Sequence, residues 1–301
     1  MILVKPIIID DGVLLSSSIP EPDASVGEIE WVAGTYNLGQ RVIKSSTHRE
    51  YQVVASPSTD DDPELGVNAN PATWVDVGPT NRFKMFDTAN NTQSESSDIV
   101  VELQPNQFFN GVGAFSVSAD TVTITVTDGG NVIYSKPLDM RDRPLVNGWY
   151  NYFFSSISFI TRFILLDLPP TTTGILKLEF GGSAKVGTVS FGRQSILGVA
   201  QYGTSAELLD FSNPIEDQYG NITYSDGFTA KLVNFDIKTE RTQMGVVFSE
   251  LQSIGKNPAI WVGDNSDIND ATAVFGINRD YQQTFDSPSI CTVNLTVRGL
   301  V

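Results

Sequence analysis

A chain of 301 residues is longer than a usual single domain and predicts two or three, and a hydrophobic content of 41% supplies them with cores. Its net charge of −16 comes without any basic cluster, which excludes binding to nucleic acid through the phosphates, since nothing is present to displace their counterions. The single cysteine, Cys291, excludes an intrachain disulfide and a cysteine-based zinc site.

The first segment, Ile2 to Ile9, is rich in β-branched residues and ends at Asp10-Asp11-Gly12, which reads as a strand and a turn. Residues 1–20 do not read as a secretory signal, because Lys5 is the only early base, Asp10 and Asp11 interrupt the apolar run and no small-residue cleavage site follows. A terminal strand of this kind can equally pair with the sheet edge of a neighbouring subunit. Ser16 to Ser25 carries Pro20 and Pro22 and reads as a linker, so residues 1–27 form an arm and its tether.

Residues 28–78 form a small unit marked by Trp31, Tyr36, Gly39, Val42, Tyr51, Pro71 and Trp74. The lone histidine, His48, lies in the polar run SSTHRE and reads as an exposed loop residue. Asp60, Asp61 and Asp62 are consecutive, so their side chains diverge as in a solvated loop. The stretch from Trp74 to Asp87 closes this unit and opens the next. Gly78-Pro79 interrupts regular structure, and Phe83, Met85 and Phe86 add the apolar density of a chain entering a core.

Residues 79–197 read as strand after strand. Asp120 to Asp128 alternates, with Val122, Ile124 and Val126 inward, and Asp128-Gly129-Gly130-Asn131 is a hairpin turn. Tyr152 to Leu168 is too short and too polar to span a membrane, since it holds Arg162, Asp167 and three serines. Phe159 to Leu168 reads as one buried strand closed by Pro169-Pro170, and Ile175 to Phe180 alternates again before Gly181-Gly182. Such a series predicts a β-sandwich.

Residues 198–301 differ. Thr242 to Ile254 predicts a helix with Met244, Val247, Phe248 and Leu251 on one face and Gly255 as its C-cap. Ile260 to Val262 and Thr292 to Val297 predict strands, the second carrying Cys291 into the core beside it. The fold expected is mainly β: a small aromatic module, a β-sandwich of jelly-roll type, and a C-terminal α+β domain with one helix.

Chemistry finds little footing. No phosphate-binding glycine loop and no nucleophile elbow is present, so His48 has no serine partner of the usual kind. Paired carboxylates of a glycoside hydrolase are defined by their separation in space, which 35 acidic residues leave open. Asp264, Asp267 and Asp270 are calcium candidates, although their spacing is not that of an EF-hand and its glycine is missing.

Several of these segments carry resemblances. Gly78-Pro79-Thr80-Asn81-Arg82 followed by Met85-Phe86-Asp87 resembles a segment of structural proteins from the tail tips and baseplates of tailed bacteriophages. Tyr202 to Ser205, Asp210 to Ser212 and Asp217 to Asn221 are similar to a second run in the same proteins. The pattern Trp31-x4-Tyr36-x2-Gly39-x2-Val42, then Tyr51, Pro71 and Trp74, resembles the small chitin-binding-type carbohydrate modules of families 5 and 12. In that family Trp31 and Tyr36 correspond to positions in or beside the sugar face, whereas Tyr51 and Trp74 are framework. The aromatic platform that follows the Tyr51 position is replaced here by Val53, Val54, Ala55 and Ser56. The order of strands after Met85 looks like the galactose-binding-like jelly roll.

What the resemblance implies is a non-enzymatic virion protein of a phage tail tip or baseplate, made in the host cytoplasm and needing no cofactor. Its partners would be other tail or baseplate proteins, tail fibres and further copies of itself, with host-surface glycan met at Trp31 and Tyr36. Neither nucleic acid nor a membrane span is expected. The alternatives are a polysaccharide-degrading tail enzyme and a free carbohydrate-binding module.

Overall fold

The computed structural model describes residues 1–89, 91–142, 149, 158–216, 219–225, 227–264 and 271–300. The chain is mainly β, with one helix of appreciable length among the described residues. Every strand pairing within its two large sheets is antiparallel.

The larger sheet has eleven strands. Its path runs through Arg162–Leu165, Gly111–Ser118, Ala184–Ile196, Ile2–Pro6, Ala259–Val262, Ala273–Phe285, Ile290–Gly299, Thr229–Glu240 and Val199–Ala200. Ser205–Asp210 also pairs with Thr229–Glu240, and Ser94–Ser96 with Ala184–Ile196. The smaller sheet has five strands in the order Asn131–Asp139, Thr121–Asp128, Ile175–Gly181, Ile99–Leu103 and Leu14–Ser17.

These sheets face each other as the expected β-sandwich. Val122, Ile124 and Val126 alternate inward and are fully buried, as are Val101, Leu176 and Leu178 on neighbouring strands. Val112, Ala114, Val186 and Phe191 meet them from the larger sheet. The turn between Thr121–Asp128 and Asn131–Asp139 places Gly129 and Gly130 at φ of 57° and 80°, the left-handed region that two-residue hairpin turns require.

The helix Met244–Ile254 covers the other end of the larger sheet, and Cys291 is buried beneath it. Met244, Val247, Leu251 and Ile254 form its buried stripe. Phe248, expected on that stripe, is half exposed and leans on Tyr281 at the rim, because the buried face turns toward Ile254 instead. Gly255 ends the helix at φ 59°, as anticipated.

The N-terminal strand is not a loose arm. Ile2–Pro6 lies inside the larger sheet, with Ile2 opposite Ile196 on one side and opposite Val262 on the other. Leu3 enters the core under the helix, while Val4 enters a separate cluster with Phe115, Ile260 and Phe275. The sheet therefore runs unbroken across the boundary placed at residue 197. Its own chain pairs all five residues on one edge and Ile2 to Val4 on the other, so the strand is no free arm for a neighbouring subunit's sheet.

Ser16 to Ser25 is likewise no linker. Leu14–Ser17 is a strand of the smaller sheet, Ile19 is fully buried and Asp23 nearly so. The prolines interrupt regular structure here without lifting the chain off the body. Phe159 to Leu168 is not one strand: Ser158–Phe159 pairs with Arg141–Asp142, and Arg162–Leu165 pairs with Gly111–Ser118. Phe163 and Leu165 are buried, whereas Phe159 and Ile160 are exposed. Residues 150–157, the start of the apolar stretch, lie outside the described residues.

The small module is built on a three-stranded sheet of Arg41–Lys44, Arg49–Val53 and Trp74–Pro79. Val42, Tyr51, Val53 and Trp74 are its core. A short pairing of Tyr36–Asn37 with Ser58–Thr59 and the helical turn Pro63–Gly66 close the unit.

Candidate functional site

A dense, buried polar construction lies where the small module meets the sandwich. Thr80 and Asn81 follow directly on the last strand of the module, and both are fully buried. The 3-10 turn Lys84–Phe86 then plants Met85 in the sandwich core. Polar groups this deep must be satisfied, and each of them is.

Asn81 uses its whole side chain. Its Nδ2 donates to Asp23 Oδ2 at 2.7 Å and to the Glu95 carbonyl at 2.9 Å, and its Oδ1 accepts from the Glu95 amide at 2.9 Å. Its backbone amide donates to Glu28 Oε1 at 2.6 Å, and its carbonyl accepts from Ser94 Oγ at 2.5 Å. Asp23 also caps the turn Ala24–Val26, accepting from the amide and the hydroxyl of Ser25. Burial alone would raise the Asp23 pKa, but these donors from Ser25 and Asn81 outweigh it and hold the carboxyl below its ordinary 3.8.

Glu21 forms the second half of the joint. Its side chain is 2% exposed and accepts from Thr80 Oγ1 at 2.6 Å. His48 Nδ1 lies 2.9 Å from the same carboxylate, His48 Nε2 lies 2.9 Å from Asp11, and Arg82 approaches Glu21 at 3.7 Å. The imidazole stacks on Phe83 with centroids 4.0 Å apart. His48 is therefore a half-buried clasp rather than an exposed loop residue. The hairpin turn between Arg41–Lys44 and Arg49–Val53 folds back over the body and carries it there. Burial pushes its pKa down, but the two carboxylates prevail and raise it above the usual 6.5.

The sign of the resulting pH dependence follows. The stability contributed by His48 is complete below about 6.5, its unfolded value, and is lost as pH rises through the higher folded value. The Asp23 contribution runs the other way: it is present above 3.8 and is lost as pH falls through the depressed folded value. The joint is thus tightest between these limits. His48→Gln is expected to lower the melting temperature near pH 6 and to flatten its fall between pH 6 and pH 9. Thermal melts across that range check this, and parallel profiles for the two proteins would refute it.

The sequence-predicted glycan residues have framework positions. Trp31 is half buried against the module core, donates its amide to the Ile43 carbonyl at 2.8 Å, and has Lys44 Nζ 5.2 Å above its ring. Its indole Nε1 is buried without a hydrogen-bond partner. Tyr36 stands edge-on to Trp74 at 5.5 Å, and its hydroxyl donates to the Val32 carbonyl at 2.8 Å. Both rings lean on one core. The large apolar side chains exposed on residues 28–78 are aliphatic: Ile29, Val32, Leu38, Val54, Leu65, Val75 and Val77. No aromatic platform replaces the missing one.

Asp62 caps the turn Pro63–Gly66 and pairs with Lys44 at 3.0 Å, while the Asp61 carbonyl accepts from the Trp74 indole at 3.1 Å. Asp264 follows the strand Ala259–Val262, but Asp267 and Asp270 lie outside the described residues. Among the described residues, no group of three or more His, Cys, Asp or Glu is placed to hold a metal ion. Nor is any described helix long and apolar enough to cross a membrane.

Reading by sequence missed Glu21, Asp23 and Glu28. Glu21 and Asp23 sit in a stretch whose prolines signal a linker and Glu28 just beyond it, and nothing local announces that the Glu21 and Asp23 carboxylates are buried.

A second surface stands out at the far end of the larger sheet. Ser205–Asp210 and Thr229–Glu240 continue into the hairpin Asn213–Glu216 with Ile222–Ser225. This arm exposes Leu208, Phe211, Ile215, Tyr224 and Phe228. Arg298 stacks on Phe211 at 5.1 Å beside a cleft of about 430 Å³ that Phe228, Ile277 and Leu300 also line. Exposed apolar groups at this density mark interaction surfaces or ligand-binding grooves.

In comparisons with known proteins, no family model matches the chain and no curated sequence matches it.

Proposed function

We propose that this chain is a non-enzymatic structural component of a bacteriophage tail tip or baseplate. In this reading it holds neighbouring tail and fibre proteins in a fixed geometry and lies in the virion in several copies. The observation that carries the proposal is the joint itself. Thr80, Asn81, Arg82 and Met85 belong to the motif that resembles tail proteins, and they are the residues that lock the small module to the sandwich. A rigid connection between two β units suits a part that transmits force and orientation.

The module's share in host attachment would come from multiplicity. Contacts too weak to hold one copy become useful when a symmetric particle repeats them. Trp31 and Tyr36, each half-buried against the module core, are the residues assigned to such a glycan contact.

Mass spectrometry of purified tailed particles is expected to recover the chain together with tail proteins. The protein displayed in many copies on beads is expected to bind a glycan array more strongly than the free chain, and Trp31→Ala to reduce that binding. A blank array ends the glycan assignment and leaves the scaffold. Absence from particles, or release of reducing ends from a bacterial surface polysaccharide, overturns the scaffold too.

A further inference from the structure

We propose that the free edge of the strand Ser205–Asp210 pairs antiparallel with the same strand of a second copy, making a two-fold dimer in which Leu208 meets Leu208. The proposal does not depend on the virion reading, since a chain of any function would carry this edge.

A sheet edge is a row of unpaired peptide groups, and proteins that stay monomeric defend it with proline, charged side chains (lysine above all), bulges or brevity; of these, Ser205–Asp210 carries only the acids Glu207 and Asp210. The other edges here are defended in those ways. Asn131–Asp139 carries Lys136 and Pro137 beside a shift in register. Trp74–Pro79 ends in proline and pairs with a register shift. Asn213–Glu216 contains Pro214, and Arg162–Leu165 is four residues long and begins with arginine. Among the described residues, Ser205–Asp210 is the one edge longer than four residues with no proline, lysine or arginine and no register shift. Five of its six residues are exposed, and Leu208 is 77% exposed.

The phase of the ladder can be read off. The Phe211 amide donates to the Phe228 carbonyl at 3.1 Å, which continues the pairing of Asp210 with Thr229. Peptide groups alternate in direction along an antiparallel strand. Ser205, Glu207 and Leu209 therefore aim theirs inward at Thr229–Glu240, and Ala206, Leu208 and Asp210 aim theirs outward.

That alternation selects both the partner and its register. With Leu208 on the two-fold axis, Ala206 lies opposite Asp210 and Glu207 opposite Leu209. About six backbone hydrogen bonds then link the copies, and no two acids face each other directly. Two neighbouring registers also keep side chains on matching faces: one sets Glu207 against Glu207 in a close pair, which like charge disfavours, and the other, centred on Leu209, makes only about four backbone hydrogen bonds within the strand. The register centred on Leu208 is thus the fullest self-pairing, and the apolar side chain on its axis is one that water otherwise surrounds.

The test is sedimentation of the intact chain over a wide concentration range. The wild type is expected to rise from 32.8 kDa toward twice that mass. Leu208→Pro removes an outward amide and leaves the inward bonds in place, and Leu208→Lys puts like charges on the axis. Both are expected to remain monomers with unchanged circular dichroism. If the proline variant fails to fold, the lysine variant carries the test. Under oxidation Leu208→Cys is expected to cross-link to itself, because residues in a hydrogen-bonded pair lie about 5.5 Å apart, within disulfide reach. The native Cys291 is buried and does not compete. A wild type that stays monomeric, a dimer that survives both substitutions, or a cross-link formed by Glu207→Cys and not by Leu208→Cys overturns the proposal. None of these outcomes bears on whether the chain is found in tailed particles.

Discussion

Leu3→Asp is expected to abolish cooperative folding of the whole chain, not just of its first residues. Leu3 is fully buried beneath the helix Met244–Ile254, among Leu197, Trp261 and Val274. An unpaired carboxylate in that position costs several kcal/mol, a large part of the roughly 5–15 kcal/mol that holds a domain together. The strand that carries it is bonded to Ala184–Ile196 on one side and to Ala259–Val262 on the other, so losing it opens the sheet at its middle. Gly192→Ala attacks the same place by overlap, since a methyl group there would meet the Lys5 carbonyl oxygen. Leu3→Met keeps volume and polarity and is expected to cost less than about 1.5 kcal/mol. Calorimetry decides the matter. A single transition, lost in the aspartate variant, is the expected result. Two independent transitions, with only one of them shifted, would mean that the strand does not unite the two halves.

The second large effect is expected at Asn81. Asn81→Asp exchanges an amide that donates to Asp23 at 2.7 Å for a carboxylate facing a carboxylate. It also leaves the Glu95 carbonyl without its donor. Breaking a buried, charge-assisted arrangement in this way costs roughly 3–5 kcal/mol. Asn81→Ala, which removes the donors without adding charge, is expected to cost about 2–3 kcal/mol. The two variants separate further with pH. Two carboxylates at this distance retain one proton between them more readily than either does alone, and the protonated partner can donate where the amide did. The deficit of the aspartate variant is therefore expected to shrink on acidification toward pH 4.5, while that of the alanine variant does not. Melting temperatures at pH 4.5 and 7.5 test this. A deficit in Asn81→Asp that is constant or grows in acid would show that Asp23 is not its antagonist.

The joint also explains why a chain so acidic keeps carboxylates inside. Glu21, Asp23 and Glu28 each accept from donors carried by the 80–82 segment or by the turns beside it. Removing one partner strands the others, which makes the cluster sensitive to mutation while each bond remains ordinary.

Residue sequence alone determined what depends on near neighbours. Valine and isoleucine alternate with threonine from Val122 to Val126, and two glycines follow where the turn needs positive φ, so that hairpin formed as read. The apolar spacing from Met244 onward and the glycine at 255 settled the helix, and alternation carried Cys291 inward. Tertiary structure alone decided what depends on distant partners. Ile2 meets Ile196 and Val262, Asn81 meets Asp23, and His48 meets Glu21 and Asp11. A strand's periodicity says which face is apolar but not which edge will be filled, and a carboxylate's letter does not say whether water or an amide will satisfy it. Those choices are made by backbone and side-chain hydrogen bonds between segments far apart in the chain, which no local pattern encodes.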